Sequence, residues 1–393
     1  MTSGRDGPRA IRTGDAIAVP SSRAALPERI GKFRVVERIG RGAMGVVYSA
    51  RNIESGRAVA IKLMMGDLEG DRETRVRFER EAHVAGEMLH RNVINVFELG
   101  EEDGRLFMVM ELLDGETLGD YLKRVGKLPL ERALDLMMQM CEGLAVAHAH
   151  AIVHRDIKPG NLFVLRDGGL KILDFGVARL ANSSMTASGF LVGTPDFMSP
   201  EQARGKGIDQ RSDVFSAGAV FYYMLSGRKP FTAHDLPTVI HKVNSEDPPP
   251  LSADESPPGL ARVIMKALAK STDDRYADMG ALLSDLVRFE RDYDRESRTM
   301  ALVARQEAVE LARLVSERLA LADRLGVVTD ASESPFGDEL LDRYPVLEER
   351  GPDALGVVPF RRATLMEIRE GLDRRRAEVV EELQRLRHMG AVM

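Results

Sequence analysis

The sequence predicts an α+β fold in two lobes, a small antiparallel-sheet lobe with one main helix and then a larger, mostly helical lobe, plus a helical C-terminal extension. Three observations predict it. β-Branched runs broken by Gly-bearing turns dominate residues 33–64 and recur at 93–110. Beyond Leu113 apolar residues fall at helical intervals, as in LERALDLMMQMCEGLAVAHAH. After about Phe289 the composition turns to Arg, Glu, Leu and Ala, the palette of long amphipathic helices.

Taken in order, residues 1–30 are rich in Gly, Pro, Ser and Arg without periodicity and are read as a disordered arm. A folded region of 31–292 follows, its first lobe about 31–112 and its second about 113–292. In the first lobe FRVVERIG, GVVYSARN and RAVAIKLM read as strands, RETRVRFEREAHVAGEMLH as the main helix, and VINVFELG and RLFMVMEL as two more strands. In the second, Val214–Leu225 (VFSAGAVFYYML) is too short to span a bilayer and reads as a buried core helix. Residues 293–393 hold two amphipathic stretches, roughly 298–325 and 362–389, around a Pro/Gly-broken middle. Leu365, Leu372, Val379 and Leu386 recur at sevens, which suits packing on a neighbour in the same chain, with a dimeric coiled coil as the alternative.

Composition narrows the function. A formal net charge of -6 and the absence of Trp give no basic surface or stacking platform for nucleic acid. The single cysteine, Cys141, cannot form an internal disulfide and fits a cytoplasmic protein. The N-terminus has no apolar core of a secretory signal, and no stretch suits a membrane span.

Four constellations carry chemistry. Gly40-Arg41-Gly42-Ala43-Met44-Gly45-Val46-Val47 can fold closely over a triphosphate and aim N–H groups at its oxygens. Alone the pattern also fits a dinucleotide-binding turn, but here it lies between two strand-like runs. Val59-Ala60-Ile61-Lys62 is a strand ending in lysine, which is usually a solvated edge charge. One hairpin beyond Gly45, Lys62 can instead reach under the loop and pair with Glu81; Glu79 and Glu87 are the competing carboxylates. In His154-Arg155-Asp156-Ile157-Lys158-Pro159-Gly160-Asn161, Asp156 can accept a hydroxyl proton and Lys158 can neutralise a phosphoryl group. Asn161 can offer oxygen to Mg²⁺, and so can Asp174 of Asp174-Phe175-Gly176. In isolation the His154 to Asn161 motif also reads as a polar turn after the Cys141 helix, and Asp174-Phe175-Gly176 has almost no specificity.

Their order and settings, from about Phe33 to Phe289, resemble the Hanks-type, eukaryotic-like serine/threonine protein kinases of bacteria. The resemblance implies the bilobal protein-kinase fold and transfer of the ATP γ-phosphoryl to Ser/Thr hydroxyls of protein substrates. It implies ATP and Mg²⁺, with Mn²⁺ a substitute. Residues 40–47 would cover the phosphates, and Lys62 would contact them from a solvent-accessible cleft while pairing with Glu81. Ile39, Val47 and Ala60 would line the adenine slot above and Phe163 below, with Met110 as gatekeeper and Glu111 and Leu113 as hinge. Asp156 would be the catalytic aspartate, Asn161 and Asp174 the metal ligands, and Thr194 would bond near Asp156 and Lys158. Glu201 would pair with Arg275, and Asp213 would tie the catalytic loop to the buried helix.

The resemblance also implies activation by phosphorylation, since Arg155 precedes Asp156 and can pair with a phosphate on the activation segment. Ser183, Ser184, Thr186 and Ser188 are the candidates, Thr186 first and Ser188 second. Arg91, Ser199, Phe215 and Asp274 depart from the family's usual Pro, Ala, Trp and Pro. A catalytically dead scaffold would lack Lys62, Asp156 or Asp174, and all are present. The extension carries no catalytic motif and is expected to serve a regulatory partner or a homodimer.

Overall fold

The computed structural model describes residues 26–42, 45–64, 86, 88–174, 195–205, 207–325 and 362–392. The described residues of 26–64 and 96–112 belong to one compact unit, and those of 86–95 and from 113 onward to a second.

The first unit is a six-stranded antiparallel sheet of β1 (Arg29–Ile30), β2 (Phe33–Arg41), β3 (Gly45–Asn52), β4 (Ala58–Met64), β5 (Val96–Glu102) and β6 (Arg105–Met110), in the order β1-β2-β3-β4-β6-β5. β1 begins at Arg29, inside the stretch expected to be a disordered arm; Ile30 pairs with Phe33 and both are buried. Strand period 2 divides the side chains. Val46, Tyr48, Ala50, Val59, Ile61, Phe107 and Val109 fall on one face and build the unit's core. Full burial of one such aliphatic side chain contributes about 1.5–3 kcal/mol. Of the expected main helix only Gly86 and residues 88–90 are described; 88–90 are not helical, and Met88 is buried in the core of the second unit. Val93–Asn95, expected to open a strand, belong to the second unit, and β5 starts at Val96.

The second unit opens with β7 (Gly115–Thr117), α1 (Leu118–Val125) and α2 (Leu130–Ala149). β8 (Leu162–Leu165) and β9 (Leu170–Ile172) complete a three-stranded sheet with β7. Then follow α3 (Pro200–Arg204), α4 (Gln210–Ser226), α5 (Leu236–Ser245), α6 (Pro258–Ala267) and α7 (Met279–Arg324). Every residue of α4 from Ser212 to Tyr222 is buried, so it forms the axis of the core. Phe215, where the family usually has Trp, stacks on Phe231 at 5.9 Å between ring centres. Cys141 lies in this core, and burial pushes its thiol pKa up, which makes it unreactive.

α7 runs 46 residues without a break, so the boundary expected at 292 falls in mid-helix. Its first turns bury Met279, Leu282 and Leu286 in the core of the second unit. Its later turns bury Ala304, Leu311 and Val315 against Leu372, Val379 and Leu383 of α8 (Arg362–Val392). Glu310 feels the charge of Arg376 and Glu317 pairs with Arg387, so numbering rises together and the two helices run parallel. Arg318, only 5% exposed, reaches Glu382 at 2.5 Å across this seam. The heptad stripe of Leu372 and Val379 is thus covered within the chain. No helix among the described residues is long and apolar enough to cross a membrane.

Candidate active site

In the first unit the sheet register collects the expected nucleotide residues on the face opposite the core. Val47 pairs with Lys62 and Lys62 with Met108, while Ala60 pairs with Met110. Paired residues share a face, and so do residues two apart on a strand, so Val47, Ala60, Lys62, Met108 and Met110 line one surface. Met108 escaped the sequence reading because a Met inside RLFMVM looks like any core residue; only its register with Lys62 marks it. Val46 was expected among the nucleotide contacts, but its side chain is buried in the core on the other face, leaving only its backbone on the loop. Lys62 does not end its strand and is not solvent-accessible, since β4 continues to Met64 and the residue is 7% exposed.

The glycines of the loop differ in what requires them. A Cβ on Gly45 would stand 2.3 Å from the Leu63 carbonyl oxygen, so the hairpin itself demands glycine. A Cβ on Gly42 would meet nothing within 4 Å, and one on Gly40 only Val47 at 3.6 Å. Neither is needed by the sheet. Ile39 and Arg41 are exposed, Gly40 and Glu111 half-buried. Ala43, Met44, Glu81 and Thr194 lie outside the described residues, as do Ser183, Ser184, Thr186 and Ser188.

In the second unit the loop after α2 brings three polar side chains together. Lys158 Nζ donates to Asp156 Oδ2 at 2.7 Å, and Asn161 Nδ2 donates to the same oxygen at 3.0 Å and to the Asp156 carbonyl at 2.8 Å. Arg155 sits at φ 65° and Asp174 at φ 45°, both left-handed and costly for a residue with a Cβ. Such strain persists only where surrounding bonds over-determine the backbone, and those bonds are visible. Asp213, fully buried on α4, accepts the His154 N–H at 2.7 Å, the Arg155 N–H at 2.8 Å and His148 Nε2–H at 2.8 Å. His154 Nδ1 accepts the Asp156 N–H at 3.3 Å and its Nε2 meets the Leu173 carbonyl at 2.9 Å, which places the ring proton on Nε2. Leu113 and Phe163 are half-buried, and Phe163 pairs with Thr117 and Lys171 in the small sheet.

Asn161 has both roles of its amide assigned by these bonds. Its N–H groups face Asp156, so its Oδ1 is the atom left to face a cation. Together with the carboxylate of Asp174 this fits Mg²⁺, which takes few protein ligands and completes its shell with phosphate oxygens and water. Among the described residues no group of three His, Cys, Asp or Glu could hold a metal alone.

The segment after residue 194 is anchored by charge. Glu201 on α3 receives two bonds from buried Arg275, at 2.7 and 2.9 Å, and one from Ser212 at 2.7 Å. Burial pushes the Glu201 pKa up, but these bonds outweigh it and hold the carboxyl below its ordinary value. Ser199 caps α3 with Gln202 in a reciprocal capping box, a use its Ala counterpart could not serve. Gln202 Nε2 also donates to the Arg155 carbonyl at 2.6 Å. Arg91 replaces proline and pairs with Glu142 on α2 at 2.6 Å. His148 and Gln202 were not selected from sequence. His148 could have been, since it follows buried Leu144 and Cys141 at helical spacing and so falls on the buried stripe.

The protein kinase domain family matches residues 33–286. Serine/threonine-protein kinase Pkn1 of Myxococcus xanthus is 38% identical over 266 residues, covering 66% of this chain and 38% of that protein. Serine/threonine-protein kinase PknB of Mycolicibacterium smegmatis is 38% identical over 267 residues, covering 65% and 43%. Serine/threonine-protein kinase pkn3 of Myxococcus xanthus is 35% identical over 324 residues, covering 79% and 58%. The match thus spans less than half the length of the first two relatives.

Proposed function

Because this chain belongs to the protein kinase family, we propose that it transfers the γ-phosphoryl of ATP to serine and threonine hydroxyls of protein substrates. The observation that carries this is Asp156 held by Lys158 and Asn161 at 2.7 and 3.0 Å, beside a strained backbone. A carboxylate so oriented accepts the proton of an attacking hydroxyl. The hydroxyl oxygen bonds to the γ-phosphorus, the bond from that phosphorus to the β-γ bridging oxygen breaks, and ADP leaves with the electron pair. Lys158 neutralises charge on the transferring group, and Lys62 contacts the phosphates. Asn161 and Asp174 would hold Mg²⁺, or Mn²⁺ in its place, which would supply positive charge to offset that of the phosphates. Gly40, Gly42 and Gly45 would cover those phosphates, while Val47, Ala60, Met110 and Glu111 of the first unit would contact the adenine.

In this account Glu81 orients Lys62, Thr194 steadies Asp156 and Lys158, and phosphate on Thr186 and then Ser188 orders the activation segment. A cytoplasmic setting supplies the ATP. The α7–α8 pair serves as a regulatory or docking extension outside the chemistry. The test is to incubate the full chain with Mg²⁺, ATP and a generic basic protein and to map the modified residues by mass spectrometry. Phosphate on Ser and Thr is expected, and it disappears with Lys62→Met, whose unbranched side chain fills the same buried space. Wild-type protein that stays inert with both Mg²⁺ and Mn²⁺ contradicts the proposal.

A further inference from the structure

The peptide linking Arg155 to Asp156 carries the carboxylate on which the chemistry turns, and its two polar atoms have separate holders. Its N–H donates to His154 Nδ1 at 3.3 Å, a long bond. Its carbonyl accepts from Gln202 Nε2 at 2.6 Å, the shorter of the two. The residue before this peptide is left-handed at φ 65°, so the plane cannot rely on local preference to hold its orientation. The amide of Gln202 cannot be reversed, because its Oε1 simultaneously accepts the Ser199 N–H at 3.0 Å. Flipping the amide would face oxygen to the Arg155 carbonyl and nitrogen to the Ser199 N–H, spoiling both bonds.

We infer that Gln202 is a positioning residue for phosphoryl transfer. It acts through the Arg155 carbonyl to orient Asp156, and it joins the end of the activation segment to the catalytic loop. This rests on the kinase reading above. Ser199 separates the two jobs of Gln202. Ser199→Ala removes the bond from the Gln202 N–H to Ser199 Oγ at 3.3 Å, but leaves both side-chain bonds of Gln202 in place. Gln202→Glu keeps an acceptor for the Ser199 N–H and sets a carboxylate oxygen against the Arg155 carbonyl. Gln202→Met keeps the length of the side chain and removes both bonds.

The experiment measures kcat, the KM for ATP and the thermal midpoint of the full chain for these three variants and the wild type. Misplacing a catalytic group by a fraction of an ångström costs rate and not nucleotide affinity. Gln202→Glu and Gln202→Met are therefore expected to lose about tenfold in kcat with the KM for ATP within about twofold of wild type. Ser199→Ala is expected to lower the thermal midpoint and to keep kcat within about twofold. The inference is overturned if either Gln202 variant, folded by its thermal transition, keeps wild-type kcat. It is equally overturned if Ser199→Ala loses as much kcat as they do, since the capping box alone then explains the effect. An inert wild type defeats the kinase reading itself, and this inference with it.

Discussion

Asp213→Asn isolates the bond network that holds the catalytic loop, because it changes one atom of a fully buried side chain and almost none of its shape. In the wild type one carboxylate oxygen accepts from His148 and the His154 N–H, and the other from the Arg155 N–H at 2.8 Å. An amide oxygen in the first position keeps two bonds but places an NH₂ group against the Arg155 N–H. One charge-assisted bond is lost, a buried donor is left opposed, and the remaining two bonds weaken from charged to neutral. Hydrogen bonds to charged groups contribute about 1.5–3 kcal/mol and an unsatisfied buried donor costs about 1–3 kcal/mol. The expected loss is about 3–5 kcal/mol of stability, which lowers the thermal midpoint by roughly 6–20 °C for a domain of this size. The same loss frees Arg155 from its left-handed conformation, so kcat should fall about a hundredfold even at temperatures where the variant is folded. Calorimetry together with steady-state kinetics at 15–20 °C, a temperature set about low to keep the variant folded, reads both effects. A variant with wild-type kcat refutes the claim that Asp213 holds Asp156 in place through the loop.

Arg275→Met strands the Glu201 carboxylate in the interior with Ser212 as its remaining partner and should cost about 3–5 kcal/mol, read by denaturant titration. Because the folded Glu201 pKa is depressed, its contribution to stability is complete above the ordinary carboxylate value near about 4.3 and is lost as pH falls through the folded value. Glu201→Gln should remove that part of the acid sensitivity, and an unchanged acid limb counts against the pairing. Gly45→Ala should destabilise the sheet through its 2.3 Å approach to Leu63, whereas Gly42→Ala should leave the thermal midpoint unchanged and weaken ATP binding by calorimetric titration; the reverse order would contradict the assigned roles. A chain ending after Ser297 keeps the turns of α7 that are buried in the core of the second unit and should retain intrinsic activity, while loss of activity in a folded truncation would make the α7–α8 pair part of the catalytic unit.

Much of this architecture was legible in the sequence because local pattern and tertiary role agree. FRVVERIG, GVVYSARN and RAVAIKLM are β-branched runs separated by Gly-bearing turns and become paired strands, and the apolar run at Val214 becomes the buried axis helix. What was not legible depends on who meets whom. Lys62 read as a strand-end charge because no local feature reveals that β4 continues and is flanked on both sides, by β3 and β6. Val46 and Val47 look alike in the sequence, yet strand register sends one to the core and the other to the nucleotide face. Ser199 and Gln202 have the capping-box spacing, but the long-range bonds of His148 to Asp213 and of Gln202 to Arg155 leave no mark in the local sequence. The boundary at 292 followed a change of composition, whereas a helix continues wherever good helix formers do, and Arg, Glu, Leu and Ala all qualify.

The most direct test of the central claim compares Asp156→Asn with wild type in single-turnover phosphoryl transfer, with Mg²⁺-ATP affinity measured on the same samples. Asparagine keeps the shape of the side chain and the room for Lys158 and Asn161 around it, but it cannot accept the hydroxyl proton. The account predicts ATP affinity within about threefold of wild type and a transfer rate lower by about 10²–10⁴, the range set by general-base catalysis. A variant that transfers phosphate at the wild-type rate would show that Asp156 is not the base and that the chemistry resides elsewhere.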